Sequence, residues 1–186
     1  CGWHELHAVL GSSKERFSST VPWTRQLESA AELLAALTPV LRAHGSRVNL
    51  ETHGDATTFE LVRLVEQVGP AYAGICLDTA NVLCHAEDPV LAADRAAPYT
   101  HMTHIKDAIM FFTETGLRRQ TQPVGRGAID WPAVLPLLAA RAPGIHLSIE
   151  DHKWLFDANI FDERWLAFHP DLTREELARV VRIAWQ

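Results

Sequence analysis

The sequence predicts an α/β domain built on a parallel β-sheet. Segments with the residue pattern of strands alternate with segments at helical spacing, and four of the strand segments are almost continuously apolar. A strand of a parallel sheet is covered by helices on both faces, so both of its faces are apolar. The 186 residues contain no internal repeat, linker or low-complexity tract, which favours a single domain.

The composition excludes several classes of protein. Hydrophobic residues make up 47% of the chain and charged residues 22%, unlike collagen, disordered tracts or disulfide-rich mini-proteins. No apolar run approaches the roughly 20 residues of a membrane-spanning helix, so we expect no membrane association. The net charge of −6, without a basic arm, argues against nucleic-acid binding. The odd number of cysteines, Cys1, Cys76 and Cys84, is a poor disulfide framework and favours a cytoplasmic location.

The N-terminal half is predicted to contain two strand–helix units. A short apolar strand is expected over 6–11, and apolar residues at three- and four-residue spacing predict a helix over 22–45. A second strand is expected over 48–52. The helix after it begins at a Thr57 or Thr58 cap and stops at a Gly-Pro pair.

The C-terminal half is predicted to contain three more strands, over 72–78, 101–106 and 145–150. Helices are expected over 88–97, 130–138 and 173–185, and the last of them opens with a capping box between Thr173 and Glu176. Residues 107–127 are largely polar and are expected to form a long loop. We expect the aromatic residues between 154 and 168 to pack the tail on the domain or on another subunit.

Four consecutive strands end in a side chain that can ligate a metal ion: Glu51, Asp78, His104 and Glu150. Their residue numbers differ by 27, 26 and 46, so the first two separations equal about one strand–helix unit and the third includes the 107–127 loop. Because the carboxyl ends of parallel strands meet at one edge of the sheet, we expect these side chains around a single point. A lone carboxylate at a strand end usually caps a helix, whereas four ligands in succession indicate a metal site.

Three carboxylates and one imidazole form an oxygen-rich set of donors. Such a set suits Mn²⁺, Mg²⁺ or Co²⁺, also admits Zn²⁺, and disfavours a metal that requires thiolates. The sequence therefore predicts one divalent ion whose identity stays open among these four.

Five segments resemble, in order, the motifs of one enzyme superfamily: Leu50-Glu-Thr-His-Gly-Asp55, Gly74-Ile-Cys-Leu-Asp-Thr-Ala-Asn81, His101-Met-Thr-His-Ile-Lys-Asp107, Gly125-Arg-Gly-Ala-Ile-Asp-Trp131 and Leu147-Ser-Ile-Glu150. Over about residues 45–150 the chain is similar to the xylose-isomerase-like TIM barrels, the sugar phosphate isomerase/epimerase superfamily. The resemblance implies a (β/α)₈ barrel in which Glu51, Asp78, His104 and Glu150 bind one divalent metal ion, most commonly Mn²⁺.

The resemblance also implies a reaction, namely the isomerisation or epimerisation of a small sugar or keto-sugar. A metal ion that chelates the carbonyl and the adjacent hydroxyl acidifies the neighbouring C–H bond and stabilises the enediolate. Glu51 and Glu150 would remove a proton and return one while also contacting the metal. The sequence leaves open which of the two is the base.

Five further residues are candidates for substrate binding: His53, Asn81, Lys106, Arg126 and His152. Lys106 follows His104 by two residues and so shares its face of the strand, and Arg126 lies in a Gly-x-Gly turn before a predicted helix. Many relatives, including the ketose 3-epimerases, have His at the position of Asn81. An amide binds a hydroxyl but does not transfer protons, which argues against a 3-epimerase. The abasic-site endonucleases also need that His and an Asp-Arg-His run, where this chain has Leu117-Arg-Arg-Gln-Thr-Gln-Pro123.

Two other functions are alternatives to an isomerase. The tail after Glu150 is faintly similar to the catalytic subunits of bacterial C-glycoside deglycosidases, which are lyases that cleave 3-oxo-glucosides with a small β-rich partner subunit. A barrel that has lost its activity and serves as a binding module is the least favoured alternative, because all four candidate ligands are present. The aromatic tail suggests a homo-oligomer or a partner subunit.

The length of the chain predicts that only part of a barrel is present. A (β/α)₈ barrel needs about 250 residues, and this chain shows five strands with the four ligand strands last. We therefore expect a single xylose-isomerase-like barrel domain over 1–186 that holds only about the last five βα units. Residues 151–186 would form a C-terminal extension and the last helix.

Overall fold

The computed structural model describes residues 2–186, so Cys1 lies outside the described residues. The strands are β1 (Glu5–Ala8), β2 (Arg47–Glu51), β3 (Ala73–Asp78), β4 (Thr100–His104), β5 (Asp107–Thr113), β6 (Gly116–Gln122) and β7 (Leu155–Ala158). The α-helices are α1 (Ser13–Arg16), α2 (Trp23–His44), α3 (Thr58–Val68), α4 (Pro89–Ala96), α5 (Trp131–Arg141), α6 (Glu163–Ala167) and α7 (Arg174–Trp185). Short 3₁₀ helices span Asn81–His85 and Ala97–Tyr99.

The first four strands form the predicted parallel sheet, in the order β1-β2-β3-β4. Helices α2, α3, α4 and α5 pack against one another in chain order, and α3 and α4 also contact β3. Every residue of β3 is buried, as its apolar sequence predicts. Parallel strands in sequential order with helices along one side form a section of a (β/α)₈ barrel, which confirms the predicted fold class.

The fifth predicted strand, over 145–150, is reduced to a single parallel bridge between Ile105 and Ile149. The Ile105 amide donates to the Ser148 carbonyl at 2.7 Å, and the Glu150 amide donates to the Ile105 carbonyl at 3.2 Å. Within residues 2–186, no strand pairs with this segment on its other side. Ile149 is 71% exposed, so the apolar sequence that predicted a buried strand lies at an open edge of the sheet.

The predicted loop over 107–127 is wrong, because most of it forms a β-hairpin. Strands β5 and β6 pair antiparallel, and β7 adds to β6 to complete a three-stranded sheet. Three alternate residues of β6 are buried: Leu117, Arg119 and Thr121. Because two of these inward-facing residues are polar, the strand lacks the apolar alternation on which its prediction would depend.

The helix boundaries follow the predicted end signals. The Thr57 hydroxyl accepts from the Glu60 amide at 3.2 Å, and the Glu60 carboxylate accepts from the Thr57 amide at 2.8 Å, which forms a capping box at the start of α3. Helix α2 ends at Gly45, whose φ of +57° is the left-handed conformation that glycine adopts without strain. The Thr173 hydroxyl caps α7 by accepting from the Glu176 amide at 3.0 Å. Each helix in residues 2–186 is too short or too polar to span a lipid bilayer.

A buried histidine pair joins the tail to the sheet. His169 stacks on Trp165 with ring centroids 3.7 Å apart, and its Nδ1 donates to the Trp165 carbonyl. Its Nε2 lies 3.0 Å from Nδ1 of His85, whose other nitrogen contacts the backbone carbonyl of His53 at 3.2 Å. Burial, reinforced by the nearby Arg16 guanidinium, lowers the pKa of His169 to about 3 and holds the pKa of His85 well below its usual range.

These depressed pKa values predict acid sensitivity. Below its ordinary pKa near 6.5, His169 takes up a proton in the unfolded chain but stays neutral in the folded one down to about pH 3. The free energy of unfolding should therefore fall by about 1.4 kcal/mol per pH unit for this group as pH drops through that window. Burial raises the pKa of the Glu87 carboxyl to about 7. This group changes the free energy of unfolding in the opposite direction, because the stability that its protonated form gives the folded protein is lost as pH rises.

The variant His169→Gln isolates the histidine contribution. Its free energy of unfolding, measured by urea denaturation at several pH values from about 7 to about 5, should fall less steeply with acidification than that of the wild type. His44→Gln, at an exposed position, is the matched control and should reproduce the wild-type slope. Parallel curves for wild type and His169→Gln would contradict the assignment.

Candidate metal centre

The four predicted ligands meet at the carboxyl edge of the parallel sheet. Glu51, Asp78 and His104 are the last residues of β2, β3 and β4, and Glu150 follows the bridge that continues the sheet. One ligand atom from each of the four lies within 4.8 Å of the other three. The structure thus brings together the whole set that strand-end spacing had singled out.

Threonines next to the ligands fix the strand ends in register. The Thr52 hydroxyl accepts from the Asp78 amide at 2.8 Å and donates to the Asp78 carbonyl at 3.1 Å. One strand along, the Thr79 hydroxyl accepts from the Lys106 amide at 3.0 Å and donates to its carbonyl at 2.6 Å. The threonines directly after Glu51 and Asp78 thereby tie each strand end to the next strand at the carboxyl edge of the sheet.

Glu51 lies at the centre of a hydrogen-bonded group. Its Oε1 lies 3.2 Å from Nδ1 of His104 and accepts from the Asn81 side-chain amide at 3.4 Å. Its Oε2 lies 2.8 Å from Nε2 of His7. The sequence analysis missed His7, although an imidazole inside the otherwise apolar first strand was a signal that could have been followed.

Lys106 supplies a buried positive charge beside the ligands. Its side chain is almost fully buried, and its Nζ lies 2.7 Å from Oδ2 of Asp78 and 2.8 Å from Oε2 of Glu150. The same ammonium lies 3.1 Å from Nε2 of His152. The structure therefore places two predicted substrate-binding residues, Lys106 and His152, beside Glu150.

The donor set fits a divalent cation. Oδ1 of Asp78 accepts from the amides of Ala80 and Asn81 at 3.0 Å, whereas the buried Oδ2 has no hydrogen-bond donor in suitable alignment, only the close Lys106 charge. Oε2 of Glu150 is buried and lacks an aligned donor in the same way. Two such oxygens, a third carboxylate and an imidazole match the preferences of Mg²⁺, Mn²⁺ and related ions.

The protonation states are set by burial and by the close charges. Burial opposes ionisation of Glu51 and of Glu150, but His104 and His7 at the first, and Lys106 at the second, bring each pKa below its ordinary value. Complete burial raises the pKa of Asp78 despite the Lys106 ammonium. Hydrogen bonds that His104 donates to Cys76 and to Glu51 raise the pKa of His104 to about 10, so binding of a metal to this imidazole must displace a proton.

A cavity of about 770 Å³ opens above the ligands and holds most of the predicted substrate-binding residues. Glu51 and Glu150 line it together with His53, Asn81, Lys106 and His152. Aromatic side chains of the tail line the same cavity, namely Trp154, Phe156, Trp165 and Phe168. The tail aromatics thus share a cavity with two of the predicted ligands, a role that the sequence analysis did not assign to them.

Arg126 is exposed and is not among the residues that line the cavity. Its Gly-x-Gly turn is held by the buried Asp107 carboxylate, which accepts from the Gly125 amide at 2.9 Å, the Gly127 amide at 3.0 Å and the Trp131 indole at 3.0 Å. A side chain at Gly127 would place Cβ 2.1 Å from Oδ1 of Asp107, so only glycine fits. Because these amides already bind Asp107, they are not free for an anion.

Comparison with known proteins identifies the family. A family model described as the xylose isomerase-like TIM barrel matches residues 3–180. The chain belongs to this family. Among curated proteins, the xylose isomerase-like chain is 31% identical over 91 residues to the uncharacterized protein YihM of Escherichia coli strain K12, an alignment that covers 49% of the chain and 28% of YihM.

Solved structures share the fold of this xylose isomerase-like chain. It superposes on a xylose isomerase-like TIM barrel protein from Mycobacterium smegmatis in complex with magnesium with a TM-score of 0.63 and 16% identity, covering 100% of the chain and 63% of that protein. An L-ribulose 3-epimerase gives a TM-score of 0.61 and 22% identity, with 99% of the chain and 59% of the epimerase covered. The chain thus spans less than two thirds of the length of these proteins.

Asp107 is predicted to stabilise the turn over 125–127. In Asp107→Asn an amide nitrogen would face backbone N–H donors, and the free energy of unfolding should fall by about 2 kcal/mol because several donors lose a buried, charged acceptor. Urea denaturation measures this change, and hydrogen exchange should show reduced protection of the Gly125 and Gly127 amides. Asp151→Asn, at an exposed position, is the control. Unchanged stability and protection in Asp107→Asn would refute the role.

Proposed function

We propose that this protein is a divalent-metal-dependent sugar isomerase or epimerase. The observation that carries the proposal is the convergence of Glu51, Asp78, His104 and Glu150 beside a cavity of about 770 Å³, which Glu51 and Glu150 line and which is large enough for a small sugar. Membership of the xylose isomerase-like family and the shared fold of an L-ribulose 3-epimerase support it.

The same four residues would hold the metal ion. A divalent cation bound there would act as a Lewis acid on a sugar carbonyl and the adjacent hydroxyl. We propose Mn²⁺ as the ion, and Mg²⁺, Co²⁺ and Zn²⁺ satisfy the same donors. The magnesium in the Mycobacterium smegmatis protein supports a hard divalent ion.

Glu51 and Glu150 are the proposed proton carriers. Both have a lowered pKa and are ionised at neutral pH, so each can accept a proton from the carbon next to a carbonyl. The surroundings of the two carboxylates differ. The Glu150 side chain is 37% exposed, whereas the Glu51 side chain is 6% exposed and contacts His7 and His104. We therefore assign removal of the substrate proton to Glu150. Glu51, which is ionised at rest, would take up a proton from water and then return it to the substrate on the other face.

The neighbouring residues position the carboxylates and the sugar. Lys106 contacts Oε2 of Glu150, and His152 lies 3.6 Å from its Oε1, which restricts the carboxylate to one orientation. Asn81 and His53 line the same cavity and offer hydrogen bonds to sugar hydroxyls.

Three further expectations from the sequence stay predictions. They are cleavage of a 3-oxo-glucoside as in C-glycoside deglycosidases, a homo-oligomer or partner subunit, and a cytoplasmic location.

Metal binding tests the centre without turnover. Addition of MnCl₂ to the chelator-treated protein should raise its melting temperature, and at 100 times the dissociation constant the stabilisation should be about 2.7 kcal/mol. Asp78→Asn keeps the hydrogen bonds that Oδ1 accepts and removes the charge, so its affinity for Mn²⁺ should fall more than about a hundredfold, beyond the effect of outer contacts. Glu114→Gln, an exposed position, should bind like the wild type. Equal affinities in all three proteins would contradict the centre.

Proton exchange tests the chemistry. The manganese-loaded protein, incubated in D₂O with a panel of ketoses and keto-glycosides, should introduce deuterium next to the carbonyl of its substrate without breaking the carbon skeleton. Glu150→Gln should lower this rate by about a hundredfold or more while leaving folding intact, because the base is lost. Glu114→Gln is again the control. Unchanged exchange in Glu150→Gln would refute the role, and release of an aglycone without exchange would favour the lyase.

A further inference from the structure

Arg119 is a buried cation inside the cavity that has no carboxylate partner. Arg119 is among the residues that line the cavity, although it is only 2% exposed. Nη1 donates to the Thr121 hydroxyl at 3.2 Å, and the buried Nε has no acceptor. Within residues 2–186, no carboxylate comes within ion-pairing distance of Arg119.

Within residues 2–186, the other buried or half-buried Lys and Arg side chains are paired, as the cost of burying a lone charge requires. These pairs are Arg16 with Glu60, Arg47 with Glu5, Lys106 with Asp78 and Glu150, Arg95 with Glu87 and Glu176, and Arg118 with Asp157. Arg119 differs from all of them in lining the cavity without a carboxylate partner.

The hairpin determines where this charge points. Successive side chains of β6 alternate between its faces, so Arg118, which forms an ion pair with Asp157, and Arg119, which lines the cavity, lie on opposite faces of the strand. The Cys84 thiol of the cavity wall interacts with Arg119, and burial raises the pKa of this thiol to about 11. A thiol with that pKa is neutral at pH 7 and does not balance the guanidinium.

We propose that Arg119 binds an anionic group of the substrate, a carboxylate or a phosphate, so that the substrate is a sugar acid or a sugar phosphate. This inference rests on the proposed function and adds the substrate class to it. A guanidinium presents paired N–H donors that match carboxylate and phosphate oxygens, and a water-poor wall strengthens the contact. The charges near the ligands agree with it, because Lys106 and a divalent cation would balance the three carboxylates and leave Arg119 for the substrate.

Three probes of matched size test the proposal on the full chain saturated with MnCl₂. Binding of D-glucuronate, D-glucose 6-phosphate and neutral D-glucose is measured by calorimetry at fixed ionic strength. At least one charged sugar should bind more tightly than glucose, and which one it is distinguishes a carboxylate from a phosphate. Arg119→Met should weaken that binding at least about thirtyfold and leave glucose unchanged. Arg119→Lys should recover part of the affinity, since it keeps the charge without the paired donors.

Arg182→Gln is the control, because it removes an exposed guanidinium that does not line the cavity. It should bind all three sugars like the wild type. The proposal is overturned if neither charged sugar binds the wild type more tightly than glucose, or if both Arg119 variants bind like the wild type. Manganese titration of each variant distinguishes failure of this proposal from failure of the proposed function. Arg119→Met should bind Mn²⁺ normally even though it no longer binds the charged sugar tightly. Failure of the metal centre would instead appear in Asp78→Asn.

Discussion

The repulsion among three carboxylates at one edge of a parallel sheet is the constraint on which the site depends. Glu51, Asp78 and Glu150 approach one another closely because their strands are parallel, and the repulsion must be offset within the same few ångströms. The protein places Lys106 between Asp78 and Glu150, and His104 between Glu51 and Glu150. These contacts hold the carboxylates together while leaving two of their oxygens without aligned donors.

Two neighbouring residues, Lys106 and Asp107, link this site to the rest of the fold. Lys106 turns toward the ligands, and the next residue, Asp107, binds the amides of the turn over 125–127 and the indole of Trp131. The hairpin that carries Arg119 starts at Asp107, so the position of Arg119 depends on the same point of the chain. A substitution at Asp107 would therefore alter both the turn over 125–127 and the cavity wall near Arg119.

The sequence predicted the parts of the structure in which apolar periodicity and strand ends coincide. The parallel sheet, its helices and the convergence of Glu51, Asp78, His104 and Glu150 follow from local pattern and from the geometry of parallel strands. The hairpin escaped prediction because Arg119 and Thr121 occupy its buried face, and 145–150 was predicted as a full strand because pattern does not report whether a second neighbour exists. The imidazole of His7 was a visible signal, but its partner Glu51 lies 44 residues away, and Arg119 lines a cavity formed by segments distant in sequence, which local pattern does not report.

The raised pKa of Cys84 has a consequence for the chemical durability of the cavity. A thiol whose pKa is about 11 is deprotonated in roughly one molecule in ten thousand at pH 7, and only the thiolate is an effective nucleophile. Cys84 therefore lines a sugar-sized space, close to a guanidinium, as a thiol of low nucleophilicity. Buried as it is, this cysteine serves the cavity wall as a small apolar side chain rather than as a reactive group.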